Sequence, residues 1–324
     1  SYAEALLTDT TGKKSNAQIA REFDAAMNPA GTLGVFTTAK DRSTELRDAV
    51  RAHAGNGTAN GLWAQVTGGK TKLKGISTGA QDLDLDTDAY GLAVGGEAAV
   101  QNITLGAAFM GGSGKTENDS VAGKDDFNYY GLSLYAKTQV QGIDLEGDVS
   151  AAWLKSDLTV GGTADIDTDT TTAVYSLGIQ AKKTFNMGVD VTPFIGMDVY
   201  HIKSDGFTTN HGVSIEDANA TIVEFPIGAE VKKAFQTSSG FSVAPSFSLA
   251  VVPTVGSKDI DSKVRFAGAE STYNFTFADD VKVRSQLGIE AQKDNFTLGL
   301  AAGYDWGNEE RSAASVQLRA KYAF

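Results

Sequence analysis

The chain has no cysteine and only five prolines among 324 residues. Without cysteine there is no disulfide framework, no thiol chemistry, and no thiolate-ligated zinc or iron–sulfur site. No run of 18 or more apolar residues occurs, so the sequence holds no transmembrane helix. The net charge of −12 argues against a nucleic-acid partner. No secretory signal stands at Ser1, which leaves a cytosolic protein or a mature fragment whose signal lies elsewhere. None of these absences touches a transmembrane β-barrel, whose lipid-facing residues alternate with polar ones and dilute the average.

What the chain has is glycine, 36 residues of it, and alternation. In the closing stretch, Val316, Leu318, Ala320, Tyr322 and Phe324 share one parity, and Ser315, Gln317, Arg319, Lys321 and Ala323 the other. A period of two with one apolar face is a strand. Phe296 to Trp306 and Val281 to Ala291 repeat the pattern. Similar segments lie near 61–73, 88–100, 102–114, 128–140, 143–158, 170–185, 189–203, 220–235 and 241–255. That makes about twelve strands, each about 11–16 residues long, against the 5–6 usual in globular sheets and the 9–11 a tilted bilayer crossing needs.

The connections alternate as well. Short turns fall at Gln101-Asn102, Gln141-Gly142, Asn186 to Gly188, Ser238 to Gly240 and Asp294-Asn295. Long polar loops are expected near 74–87, 114–127, 158–169, 204–219 and 256–279, while 307–311 is short. Short turns at one end and long loops at the other describe an outer-membrane barrel. Aromatic residues at strand ends, among them Phe241, Phe296, Tyr304, Trp306, Tyr322 and Phe324, fit the girdles of such a barrel. The opposite parity is Gly, Ser, Thr, Gln and charge, which solvates well and packs poorly, as a lumen does. It carries the acids Glu97, Asp144, Glu146, Asp148, Asp190, Asp198, Glu224 and Asp305.

Residues 1–56 read differently. Ser15 and Gln18 fit a capping box ahead of a short helix that Asn28-Pro29 ends. A second helix is expected over 38–54, with Thr38 and Asp41 as a possible box and Gly55-Asn56-Gly57 as its stop. Its span is about 24 Å at 1.5 Å per residue. It carries Arg42, Arg47 and Arg51, the last two one turn apart on one side. A basic helix just before the first strand, beside an acidic lumen, is expected to lie inside the barrel as a plug. The division is then 1–37 as linker with a short helix, 38–56 as luminal helix, and 57–324 as an all-β, antiparallel, single-chain transmembrane barrel of about twelve strands.

Other constellations carry less. Gly112-Ser-Gly-Lys-Thr116 resembles the tail of a phosphate-binding loop, but Phe109 stands where the first glycine belongs and no helix follows. Asp82, Asp84, Asp86 and Asp88, and Asp165, Asp167 and Asp169, alternate like calcium ligands yet spell no EF-hand, so they read as solvated strand extensions. His201 and His211, with Asp198 and Asp205, offer a thin acid–base pair for a barrel protease. No catalytic residue, metal site or cofactor is expected.

The strand opening "GLWAQVTGG" (Gly61, Trp63, Gly68, Gly69), the second strand "AYGLAVGGEA" and the ending Val316, Leu318, Tyr322 and Phe324 resemble the translocator domain of monomeric autotransporters, the type V secretion proteins. The resemblance covers nearly the whole chain after about residue 35, and the helix joined to about twelve strands is its more specific part. It implies a monomer in the bacterial outer membrane that exports and anchors an N-terminal passenger at the cell surface. The passenger would have stood before Ser1, the helix would be the end of its linker, and the C-terminus would be periplasmic. The last four residues named would be the signal read by the barrel-assembly machinery. Outer-membrane lipid and lipopolysaccharide would be the other partners, and no enzymatic activity is implied. No Asn-Asn pair near the helices matches the self-cleavage site of some members. A small porin is the alternative, and a barrel protease the remoter one.

Overall fold

The structure, a computed structural model, describes residues 2–8, 12–53, 60–78 and 81–324, leaving aside the side chains of 75–78 and 81–83. The expected helix stop at Gly55-Asn56-Gly57 and the side chain of Asp82 lie outside the described residues. Four helices come first: α1 (Tyr2–Leu7), α2 (Asn16–Met27), α3 (Pro29–Thr32) and α4 (Val35–His53). Barrel strands follow as β1 (Gly61–Thr78), β2 (Gln81–Val100), β3 (Ile103–Asn118), β4 (Gly123–Val140), β5 (Ile143–Val160) and β6 (Ile166–Lys182). The second half comprises β7 (Asp190–Ser204), β8 (Ala218–Glu224 and Ile227–Lys232), β9 (Ser242–Gly256), β10 (Val281–Lys293), β11 (Phe296–Gly307) and β12 (Arg311–Ala323).

Each strand pairs antiparallel with its neighbours in sequence. β1 pairs with β12 from Gly61↔Ala323 to Leu73↔Arg311, which closes a twelve-stranded barrel and leaves it no free edge. β8 is interrupted at Phe225-Pro226, where proline has no N–H to give the ladder, yet both pieces lie between β7 and β9. At the β4–β5 turn Gln141 and Gly142 have φ of 52° and 76°, the two positive values a type I′ hairpin needs.

Parity sorts the two faces. Leu62, Val66, Leu92, Leu132, Leu134 and Leu298 stand exposed on the outside, an apolar surface that fits lipid rather than water. Outward aromatics pair toward the long-loop end, Tyr130 with Trp153 at 5.4 Å and Tyr304 with Trp306 at 5.7 Å. Toward the short turns Phe296, Tyr322 and Phe324 form a second row, 6.3 and 6.4 Å apart in turn. On the inside, rings lie flat over glycines of the next strand. Tyr135 covers Gly106, Tyr129 covers Gly112, and Phe127 covers Gly114; a Cβ at any of these would fall within 2.5 Å of the ring.

Three of the long loops expected from the sequence are largely strand. β1 and β2 cover most of 74–87, β3 and β4 most of 114–127, and β5 and β6 much of 158–169. Beyond the bilayer both faces of a strand meet water, so the apolar parity fades while the backbone ladder continues. Within 256–279 the chain folds into a hairpin, Asp259–Phe266 with Ala269–Thr276. It joins Ser214–Ile215 and Phe207–Thr208 in a separate four-stranded sheet.

The helical segment departs from the sequence reading at two points. Three helices, not one, precede α4, because Asn28 ends α2 and caps α3, accepting from the Gly31 N–H at 3.3 Å with Pro29 at the first helical position. Helix α4 starts at Val35, and Thr38 lies inside it, its N–H bonded to Gly34 O at 3.0 Å, so the Thr38–Asp41 box does not form. Gly34, at φ 65°, makes the corner. The Ser15 cap does form, its hydroxyl accepting from the Gln18 N–H at 3.2 Å.

Candidate functional site in the barrel lumen

Helix α4 has 19 residues, about 28 Å at 1.5 Å per residue, enough to run the height of a bilayer's apolar band. It lies inside the barrel, because its side chains meet inward positions on every side. Leu46, Ala49 and Val50 are fully buried, and the helix leans on β4, β5, β6 and β7. A Cβ at Gly131 of β4 would meet Leu46 at 2.9 Å, so glycine there lets helix and wall approach.

Charged pairs hold the helix along its length. Near its start Lys40 Nζ lies 2.5 Å from Glu224 of β8, which Lys282 of β10 also approaches at 2.8 Å. Asp41 meets Arg311 of β12 at 2.5 Å. The next residue, Arg42, pairs with Glu45 of its own helix at 2.6 Å and lies over the Tyr129 ring. Arg47 Nε is 3.1 Å from Asp148 of β5, and Arg51 is 2.6 Å from Asp198 of β7. Opposite them Asp48 faces Arg284 of β10 at 3.2 Å, and Arg284 in turn bonds Asp305 of β11 at 3.2 Å. At the far end the His53 ring stacks on Trp63 at 4.3 Å, and Lys321 donates to His53 O. The Lys40–Glu224 and Arg47–Asp148 pairs are buried from water, so each attraction there is stronger than on a surface and each unpaired charge costlier.

The eight acids expected to line the lumen all face it. Asp148, Asp198, Glu224 and Asp305 belong to the rungs just described. Glu97 bonds Lys321 of β12 and Tyr135. Glu146 pairs with Lys182 at 3.1 Å. Asp144 and Asp190 sit at the short-turn mouth, bonded to Gln139 and Asn186, each at 2.9 Å. Of the three arginines, Arg47 and Arg51 reach barrel acids; Arg42 does not, since Glu45 holds it first. Sequence reasoning missed Lys40, Asp41 and Asp48 on the helix and Lys282, Arg284 and Arg311 on the walls. Only the wall cations had a signal in the sequence, since they stand on the same inward parity as the acids. Between the helix and the β8–β12 wall a cavity of about 580 Å³ remains, bordered by Asp48, Lys232, Arg284, Glu290 and Arg319.

The mouth at the long-loop end is closed by apolar packing. Phe36, at the start of α4, lies 5.3 Å from Phe275 and 6.5 Å from Phe277 of the outer hairpin. Thr37 donates to Phe277 O, and Asn118 donates to Thr32 O, each at 3.0 Å. Helix α1 joins through Tyr2, whose hydroxyl donates to Ala164 O and whose ring stacks on His211 at 3.9 Å. Burial and the Asp165 carboxylate push the Tyr2 hydroxyl up to about 12, so it stays a donor.

His201 faces outward and meets Thr221 Oγ1 at 2.9 Å, whereas Asp198 faces inward and is taken by Arg51. His211 stacks on Tyr2, meets Asp165 O at 2.9 Å and has the Asp165 carboxylate 4.0 Å away, a partner other than the Asp198 and Asp205 named in the sequence. Asp86 and Asp88 lie outward near Lys70, at 3.4 and 3.6 Å, and Lys72 meets Asp86 at 3.5 Å. Asp84, Asp167 and Asp169 are exposed or partly exposed on strand extensions. Among the described residues no cluster of His, Asp and Glu is arranged to hold a metal ion. Gly112 to Thr116 lies within β3, not in a loop. Val316, Leu318, Tyr322 and Phe324 are exposed on the outer face of β12.

Comparison with known proteins gives a consistent answer. A family model described as the autotransporter beta-domain matches residues 62–305. The fold is similar to the translocator domain of the autotransporter NalP from Neisseria meningitidis, at 14% identity and TM-score 0.70, over 89% of this chain and 96% of that one. The transport unit of the autotransporter AIDA-I from Escherichia coli matches at 14% identity and TM-score 0.62, over 88% and 98%. The beta domain of the Bordetella autotransporter BrkA matches at 15% identity and TM-score 0.59, over 82% and 100%. No curated protein matches by sequence.

Proposed function

The chain belongs to the autotransporter β-domain family, a translocator barrel of the bacterial outer membrane, and from that we propose that α1–α4 are the end of a passenger linker caught in the pore. The observation that carries this is the path of α4. Its first turn packs against the outer hairpin at the long-loop mouth, and its last residue lies beside Trp63 and Lys321 near the short turns. The chain therefore passes down the lumen before β1 begins. A segment preceding α1 would emerge at the long-loop mouth, and this supports a reading with that mouth at the cell surface and the short turns and C-terminus in the periplasm.

In this reading residues 1–34 are linker, α4 (Val35–His53) is the plug helix and the strands from Gly61 to Ala323 form the barrel. The barrel is a monomer that holds its passenger at the surface and performs no chemistry of its own. Val316, Leu318, Tyr322 and Phe324 present an apolar, aromatic strand to the barrel-assembly machinery. Lys70 and Lys72, outward on the strand extension above the outer aromatics, would meet the phosphates of lipopolysaccharide.

Ion conductance tests the plug. In a planar bilayer the intact chain is expected to pass little current, through the cavity beside α4. Arg47→Glu with Arg51→Glu faces Asp148 and Asp198 with like charge and should raise conductance several-fold. Conductance equal to that of the unchanged chain would contradict a helix held by these pairs.

A further inference from the structure

Three lysines at the short-turn rim face outward, and each lies over a phenylalanine ring. Lys183 Nζ is 5.5 Å from the centre of Phe185, Lys233 5.5 Å from Phe235, and Lys293 5.0 Å from Phe241. Two of them share a spelling, Lys182-Lys183-Thr184-Phe185 and Lys232-Lys233-Ala234-Phe235. Period two sends the first lysine of each pair into the lumen, Lys182 to Glu146 and Lys232 to Glu290, and the second to the outer face. The outward three are exposed and have no ion pair among the described residues.

They occupy one arc of the rim, from the end of β6 to the end of β10. Elsewhere the outward positions beside the short turns are Val100, Ile103, Val140, Ile143, Phe296 and Tyr322, which carry no charge. Of the other cations near this end, Lys137 is buried on the inward parity of β4, and Arg319 and Lys321 border the lumen. Among the described residues, the acid adjoining the arc on the outside is Asp294, in the β10–β11 turn at φ 51°. An ammonium on a lipid-facing strand extends its head to the membrane–water boundary and keeps its stem among acyl chains. The ring beneath fixes its position through the cation–π attraction.

We propose that this arc binds anionic phospholipids, their phosphodiesters drawn to the three ammonium groups spaced along the rim. The acyl chains lie along Val231 and Phe247, exposed cross-strand partners just above. The inference rests on the reading of the chain as a membrane-inserted barrel with this rim in the periplasmic leaflet.

The test reconstitutes the full chain in nanodiscs of equal parts phosphatidylethanolamine and phosphatidylglycerol, releases it in mild detergent and counts retained lipid by native mass spectrometry. Phosphatidylglycerol should be retained several-fold over phosphatidylethanolamine. Lys183→Gln, Lys233→Gln and Lys293→Gln together should abolish the preference, and arginine at the same three positions should keep it. Lys115→Gln and Lys124→Gln at the opposite rim should leave it unchanged. Should the glutamine variant fail to fold, Phe185→Leu, Phe235→Leu and Phe241→Leu decide, with the preference expected to fall. An inserted barrel with no preference, or one whose preference survives loss of the lysines or rings, overturns the lipid site alone. A chain that fails to insert, seen as no heat-sensitive shift in gel mobility, overturns the membrane reading as well.

Discussion

Arg47 is fully buried in the lumen, with Asp148 3.1 Å away, Asp198 at 3.6 Å and the Tyr200 ring 4.6 Å beneath its guanidinium. Such a charge is tolerable only because its partners are fixed in place. Arg47→Ala leaves two carboxylates to share Arg51, and removing one member of a buried pair costs about 3–5 kcal/mol. The urea midpoint of the lipid-inserted chain, followed by gel mobility, should fall accordingly. Adding Asp148→Asn should recover part of the loss, since it removes one stranded charge. A midpoint that does not move would mean that water reaches this pair freely.

At the scale of elements, the strands β2, β3 and β4 pack through glycine under aromatic rings. At Gly112 a Cβ would meet Tyr90 O at 2.3 Å and the Tyr129 hydroxyl at 2.5 Å. Backbone cannot step aside as a side chain can. Gly112→Ala should therefore destabilise by about 1–3 kcal/mol, the usual cost of overpacking, and slow refolding from urea into vesicles. The same stretch explains what was legible in the sequence. Strand count and facing follow from parity, which lipid enforces wherever one face must be apolar. The strand ends were not legible, because at Asp84, Asp86 and Asp88 the outer face is already polar while Thr87 faces in. Helix α4 was readable from its length and its place before β1. Its acidic partners on β5 and β7 followed from parity. Asp41 and Asp48 did not, because their cations lie more than 230 residues away, on β12 and β10. Nor does local spelling bring Phe36 against Phe275 or hold α1–α3 at the mouth.

For the whole molecule, the closed sheet, the threaded helix and the capped mouth give one direction to the chain. It enters at the long loops and descends through paired charges to His53, beside Trp63 of β1 near the short turns. That direction is the central claim, and surface labelling tests it most directly. An epitope fused ahead of residue 1 behind an export signal, with a second epitope after Phe324, is expressed in a Gram-negative cell. Antibody or protease added to intact cells should reach the first epitope and not the second. A first epitope reached only after the outer membrane is permeabilised, while the second is open on intact cells, would contradict the account.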